Sequence, residues 1–171
     1  MKRNYVIISL VMLVMVASGC KFLTELSSFS KCEFRMKSIK NTQLAGVDVQ
    51  NIKSVSDLNF ATMAKLTTTL SQGKMPVNFT LNIEAKNPNP TDAAINKIQW
   101  IALIDDKQAA EGVVNKRIEI PANNGTAVIP LDVSTDLTEV FSKDMGKKLI
   151  DIALGLAGAN DEPSRVTLKV K

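Results

Sequence analysis

The longest alternation of apolar and polar residues lies within 76–133. From Val77 to Lys86 every second side chain is apolar and those between are polar, which is the period of a β-strand with one buried and one wet face. The whole region predicts four consecutive strands, at Val77–Lys86, Ile95–Ile104, Ala109–Ile120 and Ala127–Val133. The second carries apolar residues on both faces around Trp100, so we expect it to be covered on both sides.

Turn residues separate these strands. The run Asn87-Pro88-Asn89-Pro90 must end the first strand, because each proline lacks an N–H and pushes the preceding residue toward an extended conformation. Asp105-Asp106-Lys107 is predicted to turn the second strand into the third. Asn123-Asn124-Gly125 predicts a tight hairpin before the fourth, since Asn-Gly supplies the positive φ angles that such turns require.

Two further elements precede this region. Glu33–Val49 alternates as a half-buried strand, with Phe34 and Met36 on the apolar side and a break at Asn41–Gly46. A helix is then predicted over 57–72, with Ser56 as its N-cap and Gly73 at its end. The candidates for its buried face are Leu58, Met63, Leu66 and Leu70, with Phe60 as a further candidate.

A second helix is predicted over 136–158, because Asp136 and Glu139 resemble a capping box. One apolar stripe follows at helical spacing, formed by Leu137, Phe141, Met145, Leu149, Ile152 and Leu156. Such a stripe could bind a partner or lie on a membrane, but it more often covers a sheet edge or the open end of a sandwich. A short strand at Val166–Val170 closes the chain.

The amino terminus has the pattern of a secretory signal. Lys2 and Arg3 precede the apolar run Tyr5–Ala17, which is shorter than the ~20 residues that cross a bilayer. The run ends in Ala17-Ser18-Gly19-Cys20, which resembles a bacterial lipobox; the alternative is an ordinary signal with a chance cysteine. The resemblance implies that a diacylglyceryl group is attached to the Cys20 sulfur and that cleavage leaves Cys20 as the acylated amino terminus.

Composition argues against most kinds of chemistry. Loss of residues 1–19 lowers the formal charge from +4 to +2, and the remaining Lys and Arg are scattered, so no nucleic-acid partner is predicted. Cys32 is the other cysteine, which leaves no partner for an intramolecular disulfide. The chain has no histidine, so neither a Ser-His-Asp triad nor a Cys-His pair can form, and the commonest zinc ligand is missing. Asp105-Asp106 and Asp161-Glu162 suit turns and loops better than acid–base catalysis. We therefore predict no catalytic residue, metal or cofactor.

The order of elements resembles a known family. A strand running into Asn87-Pro88-Asn89-Pro90, a strand bearing Trp100, a hairpin and the strand Ala127–Val133 are similar to the WHy domain, the type 2 late-embryogenesis-abundant family. The resemblance covers about Glu33 to the carboxyl terminus. It implies a mainly β fold, an antiparallel β-sandwich of the immunoglobulin or fibronectin-III type, here with two added amphipathic helices. It also implies an association with desiccation and stress tolerance, a lipid-anchored bacterial variety, and no catalytic residue.

These interpretations divide the chain into a signal peptide at 1–19, a lipidated tether at 20–31 and a WHy-like domain at 32–171. The tether is predicted to be either a spacer or a helix on the membrane surface. Lys21 occupies the position where an aspartate favours inner-membrane retention in enteric-type bacteria, so we expect the outer membrane, with the domain facing the periplasm. The favoured function is a non-catalytic envelope lipoprotein that contacts the membrane through Cys20 and other envelope proteins.

The alternative is a carrier of an apolar, lipid-like ligand. In that hypothesis the amphipathic helices act as lids, and Met63, Met75 and Met145 line the pocket, because thioethers adapt to irregular shapes.

Overall fold

The structure, a computed structural model, describes residues 21–52, 57–141, 150 and 165–170. Over these residues the chain is mainly β, with antiparallel sheets and added helices, so the predicted β-sandwich class is confirmed. Residues 21–29 form helix α1, and the other helices are α2 (Phe60–Ser71) and α3 (Leu137–Val140). The strands are β1 (Glu33–Leu44), β2 (Val47–Asp48), β3 (Pro76–Lys86), β4 (Ala93–Ile95), β5 (Ile98–Ile104), β6 (Lys107–Val114), β7 (Ile118–Ile120), β8 (Thr126–Asp136) and β9 (Val166–Val170).

The strands form three sheets, in the orders β2-β1-β3-β8, β4-β7 and β6-β5-β9. The chain also divides into two compact units. The first unit comprises residues 21–35, 84–97 and 115–129, and the second comprises the described residues of 36–83, 98–114 and 130–171. Strands β1, β3 and β8 each contribute residues to both units.

The second unit contains the predicted apolar rows. Its part of β3 buries Val77, Phe79, Leu81 and Ile83, and β8 buries Leu131 and Val133. On β5 the buried row is Ile98, Trp100, Ala102 and Ile104, while Ile101 and Leu103 on the opposite face are half-buried. Gly112 lies opposite Trp100 on β6, and a Cβ on Gly112 would lie only 2.5 Å from the indole Cζ2. The indole therefore packs directly against the glycine backbone.

Two of the four predicted strands are each divided in two. Asn96 and Lys97 separate β4 from β5, and residues 115–117 separate β6 from β7. The halves then join different sheets, since β4 pairs with β7 and β5 pairs with β6 and β9. The predicted Asp105-Asp106 turn is confirmed: both residues have positive φ angles, 46° and 66°, and Ile104 pairs with Lys107.

The break predicted in the first strand over Asn41–Gly46 is confined to Ala45 and Gly46. Strand β1 continues through Asn41, which takes a φ of 56° without ending it, because asparagine tolerates the left-handed region. The turn to β2 instead uses Ala45 and Gly46, with φ angles of 50° and 71°. The predicted burial of the amino-terminal half was wrong, since Phe34 is 47% exposed and Met36 is 55% exposed.

Both predicted helices differ from expectation at their ends. Helix α2 begins at Phe60, after an N-cap at Asn59 whose side chain accepts the Thr62 N–H at 2.8 Å, and Ser56 lies outside the described residues. Its one fully buried side chain is Leu66, and it ends as predicted at Gly73, where φ is 75°.

Helix α3 is capped by Asp136 as predicted, but it covers one turn. The chain is extended at Phe141, with φ −121° and ψ 151°, so the predicted continuous stripe is interrupted there. Leu137, Phe141 and Ile150 are buried. The remaining members, Met145, Leu149, Ile152 and Leu156, lie outside the described residues.

Candidate functional site

Helix α1 follows directly after the predicted lipidation residue, Cys20, and belongs to the first unit. Of the two predicted states for this segment, a spacer or a helix on the membrane surface, the structure shows a helix, and its place on a membrane stays a prediction. Its buried side is largely polar, with Glu25 and Ser28 only 7% and 5% exposed and Phe29 beside them at 8%. An amphipathic helix ordinarily buries apolar residues. Polar contacts therefore determine which side of α1 faces the β-strands.

The predicted Asn-Pro corner provides part of this contact. The Asn89 side-chain Nδ2 donates to the Ser28 carbonyl oxygen at 3.0 Å. The Ser28 hydroxyl lies 2.8 Å from the Thr91 hydroxyl, immediately after the corner. The corner therefore has two roles: it ends β3, and it contacts the carboxyl-terminal turn of α1.

An ion pair holds the middle of α1. The Arg117 Nη2 donates to Glu25 Oε2 at 2.8 Å, and Lys21 Nζ lies 3.7 Å from Glu25 Oε1. The hydrogen bonds that Arg117 donates, first to Glu25 and then to Glu119 at 2.6 Å, raise the pKa of the guanidinium. Since the Glu25 side chain is only 9% exposed, Arg117 supplies the charge that a buried carboxylate requires.

Asn87 organises the corner itself. Its side chain is fully buried and makes four hydrogen bonds: Nδ2 donates to the carbonyls of Thr91 and Ile120, and Oδ1 accepts from the backbone and side chain of Asn89. Its backbone N–H donates to the Gly125 carbonyl at 2.9 Å, and its carbonyl accepts the Asn124 N–H at 2.8 Å. One asparagine thus connects β3, β7 and the turn before β8.

That turn corrects the predicted hairpin. It joins β7 to β8, which belong to different sheets, so it is a connection between sheets. The positive φ angles fall on Asn123 and Asn124, at 57° and 66°. Gly125 is needed for space, because a Cβ there would lie 2.4 Å from the Pro121 carbonyl oxygen.

The face of β3 that was predicted to be polar and solvent-exposed is also partly buried. Glu84 is 8% exposed, and its Oε1 accepts a hydrogen bond from Arg35 Nε at 2.7 Å. Both of these carboxylates, Glu25 and Glu84, thus form structural ion pairs with arginine.

The acidic pairs and Cys32 were the other residues considered for chemistry, and those that the structure describes make contacts within the fold. Asp105 accepts the Arg165 N–H at 2.9 Å and Asp106 forms an ion pair with Arg165, while Asp161 and Glu162 lie outside the described residues. Partial burial raises the pKa of the Cys32 thiol, which donates to the Ser28 carbonyl at 3.4 Å.

Two of the three methionines proposed to line a ligand pocket lie within the described residues. Met75 is fully buried in the core of the second unit and Met63 is half-buried on α2, while Met145 lies outside the described residues.

The part of the chain that the structure describes contains no group of three or more His, Cys, Asp or Glu able to hold a metal ion. Nor does any helix within it have both the length and the apolar character needed to cross a bilayer. Cys20 and residues 1–19 lie outside this part.

No protein-family model and no curated protein matches this sequence. The resemblance to the WHy family therefore stays a prediction.

Sequence reasoning did not find the Glu25–Arg117 pair, whose members are 92 residues apart. One local signal was present. Glu25 and Ser28 are three residues apart, so they share one helix face in a segment that also contains Phe22, Leu26 and Phe29.

Proposed function

We propose that this protein is a non-catalytic lipoprotein of the cell envelope, attached to the membrane by acyl groups on Cys20. What carries the proposal is the sequence Ala17-Ser18-Gly19-Cys20 at the end of an apolar signal, followed without a linker by a helix hydrogen-bonded to Asn89 and Arg117 in the connections between strands. An anchor at that position holds the folded body close to the bilayer.

The strength of attachment follows from the number of acyl chains. Each buried CH₂ contributes about 0.8 kcal/mol, so one chain binds marginally and reversibly, whereas two signals give stable anchoring. A diacylglyceryl group supplies two chains at a single residue. The protein would then act from a fixed membrane position.

The folded part of the chain would act by presenting a surface to other envelope proteins. Its carboxylates Glu25 and Glu84 are ion-paired, and the exposed residue of β3, Asn78, is polar. Such a surface suits contact with other envelope proteins. The outer membrane, with the body facing the periplasm, is proposed from Lys21, and a protective role under stress rests on the WHy resemblance alone.

The two cysteines provide a matched test. Cells that express the full chain would be fed an alkyne-bearing fatty acid, and the purified protein would be coupled to a fluorescent azide. The wild type and Cys32→Ser should be labelled and recovered with membranes. Cys20→Ser should lose the label and keep residues 1–19, because cleavage follows lipid attachment. Equal labelling of Cys20→Ser and the wild type would refute the proposal.

A further inference from the structure

The outward side of α1 carries an apolar arc, which we define as Phe22, Leu23, Leu26 and Phe34. Their exposed fractions are 46%, 65%, 39% and 47%. Phe34 follows α1 at the start of β1, and its ring centroid lies 5.3 Å from that of Phe29, which shares a helix face with Leu26 three residues earlier. All four residues belong to the first unit. Contiguous apolar surface of this kind marks a contact site.

The exposure of the arc is built into the packing of α1. Rolling the helix to bury Leu23 and Leu26 would withdraw Glu25 from Arg117 and Ser28 from Asn89. Both bonds involve buried groups, and an unpaired buried charge is strongly unfavourable. The polar contacts thus hold the arc outward.

The position of the anchor indicates what covers the arc. Consecutive Cα atoms are about 3.8 Å apart, so the Cα of Phe22 lies within ~8 Å of that of Cys20, and the Cα of Leu23 within ~11 Å. Amphipathic helices at a membrane surface bury their apolar face ~5–10 Å into the headgroup boundary. Acyl chains on Cys20 therefore bring the arc to the depth at which it can insert.

The basic residues beside the arc also indicate that a membrane covers it. The Lys21 side chain is 80% exposed and Lys31 is exposed beyond the end of α1. Basic residues near a membrane surface are attracted by anionic headgroups. An anionic lipid surface can therefore contact both the apolar arc and the basic residues beside it.

The geometry points to a second membrane contact: the apolar arc of α1 and Phe34 inserts into the headgroup region of a bilayer containing anionic phospholipid, and this fixes the orientation of the first unit. This inference rests on the proposed acylation of Cys20. The acyl chains supply attachment, and the arc supplies a defined orientation. Because the corner Asn87–Pro90 holds α1, that orientation extends to the strands bonded to the corner.

The test places a tryptophan reporter in the arc. Acylated full-chain protein, extracted from membranes, would be reconstituted into vesicles of phosphatidylethanolamine and phosphatidylglycerol, part of whose lipid carries brominated acyl chains. The variants are Leu23→Trp in the arc and Phe60→Trp as the matched control, since Phe60 is 90% exposed on α2. The native Trp100 is 5% exposed and contributes the same background to both. Adding Phe22→Ser and Leu26→Ser to Leu23→Trp tests the rest of the arc.

The expected result is several-fold stronger quenching of Leu23→Trp than of Phe60→Trp, falling toward the control when the two serines are added. Equal quenching of both reporters would overturn the inference. So would a blue-shifted Leu23→Trp emission without quenching, because a second copy or another protein would then cover the arc. In both cases flotation with the vesicles would leave the proposed function standing. A chain that carries no acyl group and does not float would refute both proposals.

Discussion

The buried amide of Asn87 gives a stability prediction that can be worked out from its contacts. Asn87→Asp keeps the shape of the side chain and keeps the oxygen that accepts from Asn89, but removes both donors. The carbonyl oxygens of Thr91 and Ile120, which accept from Nδ2 at 2.9 and 3.1 Å, would then face a carboxylate oxygen. The change thus replaces two hydrogen bonds by two repulsive contacts.

Each buried polar group left without a partner costs about 1–3 kcal/mol. The hydrogen bond to the Ile120 carbonyl is buried, and the one to the Thr91 carbonyl is partly buried. Water can therefore compensate in part for the lost bond to Thr91 but not for the lost bond to Ile120. We expect the free energy of unfolding to fall by about 2–4 kcal/mol in total. With a denaturant slope of ~2 kcal/mol per molar, the urea midpoint falls by roughly 1–2 M.

Asn78→Asp is the matched control, because it makes the same chemical change at an exposed position of β3. Urea denaturation of both variants and the wild type, followed by far-ultraviolet circular dichroism, should leave the control within about 0.5 kcal/mol of the wild type. Burial also raises the pKa of the introduced carboxyl, so acidification should narrow the gap as the carboxyl regains a proton to donate. A midpoint for Asn87→Asp equal to that of Asn78→Asp would refute the reasoning.

Three further predictions concern other contacts. Gly112→Ala should lower the free energy of unfolding by about 1–3 kcal/mol and change the Trp100 fluorescence emission, because the added Cβ would lie 2.5 Å from the indole. A urea denaturation midpoint equal to that of the wild type would contradict this packing. Burial opposes ionisation of Asp136, but hydrogen bonds from Thr138 and the Met75 N–H outweigh it and lower the pKa. The stability this adds is lost as the pH falls below ~4, so Asp136→Asn should show a smaller acid-induced loss in urea denaturation than the wild type. The raised pKa of Cys32 should make its reaction with a thiol reagent slower than that of free cysteine at the same pH and faster in denaturant; equal rates would contradict it.

The sequence predicted those features that depend on neighbouring residues. The alternation along β3 and β8 predicted their buried rows, because the period of a strand is imposed by its own backbone. The corner Asn87–Pro90 was predicted equally well, since a proline limits its own φ and the residue before it. Gly73 ended α2 for the same local reason.

Features that depend on distant partners were not predicted. The division of Ile95–Ile104 into β4 and β5 reflects which strands pair across the fold, and hydrophobic periodicity carries no such information. A helix on the membrane surface was one prediction for this segment, but which of its residues face outward was not predicted, because the orientation of α1 depends on Arg117, far along the chain from Glu25. In the turn before β8, the Asn-Gly pattern predicted a positive φ at Gly125, whereas the role of Gly125 is to leave room for Pro121.

The proposed function requires that the mature protein begins at an acylated Cys20. Tandem mass spectrometry of the amino-terminal peptide from the membrane fraction measures this. We expect a peptide that begins at Cys20, carries a diacylglyceryl group in thioether linkage to its sulfur, and continues into Lys21. An amino-terminal peptide with an unmodified Cys20 thiol, or a mature chain that begins at any other residue, would contradict it.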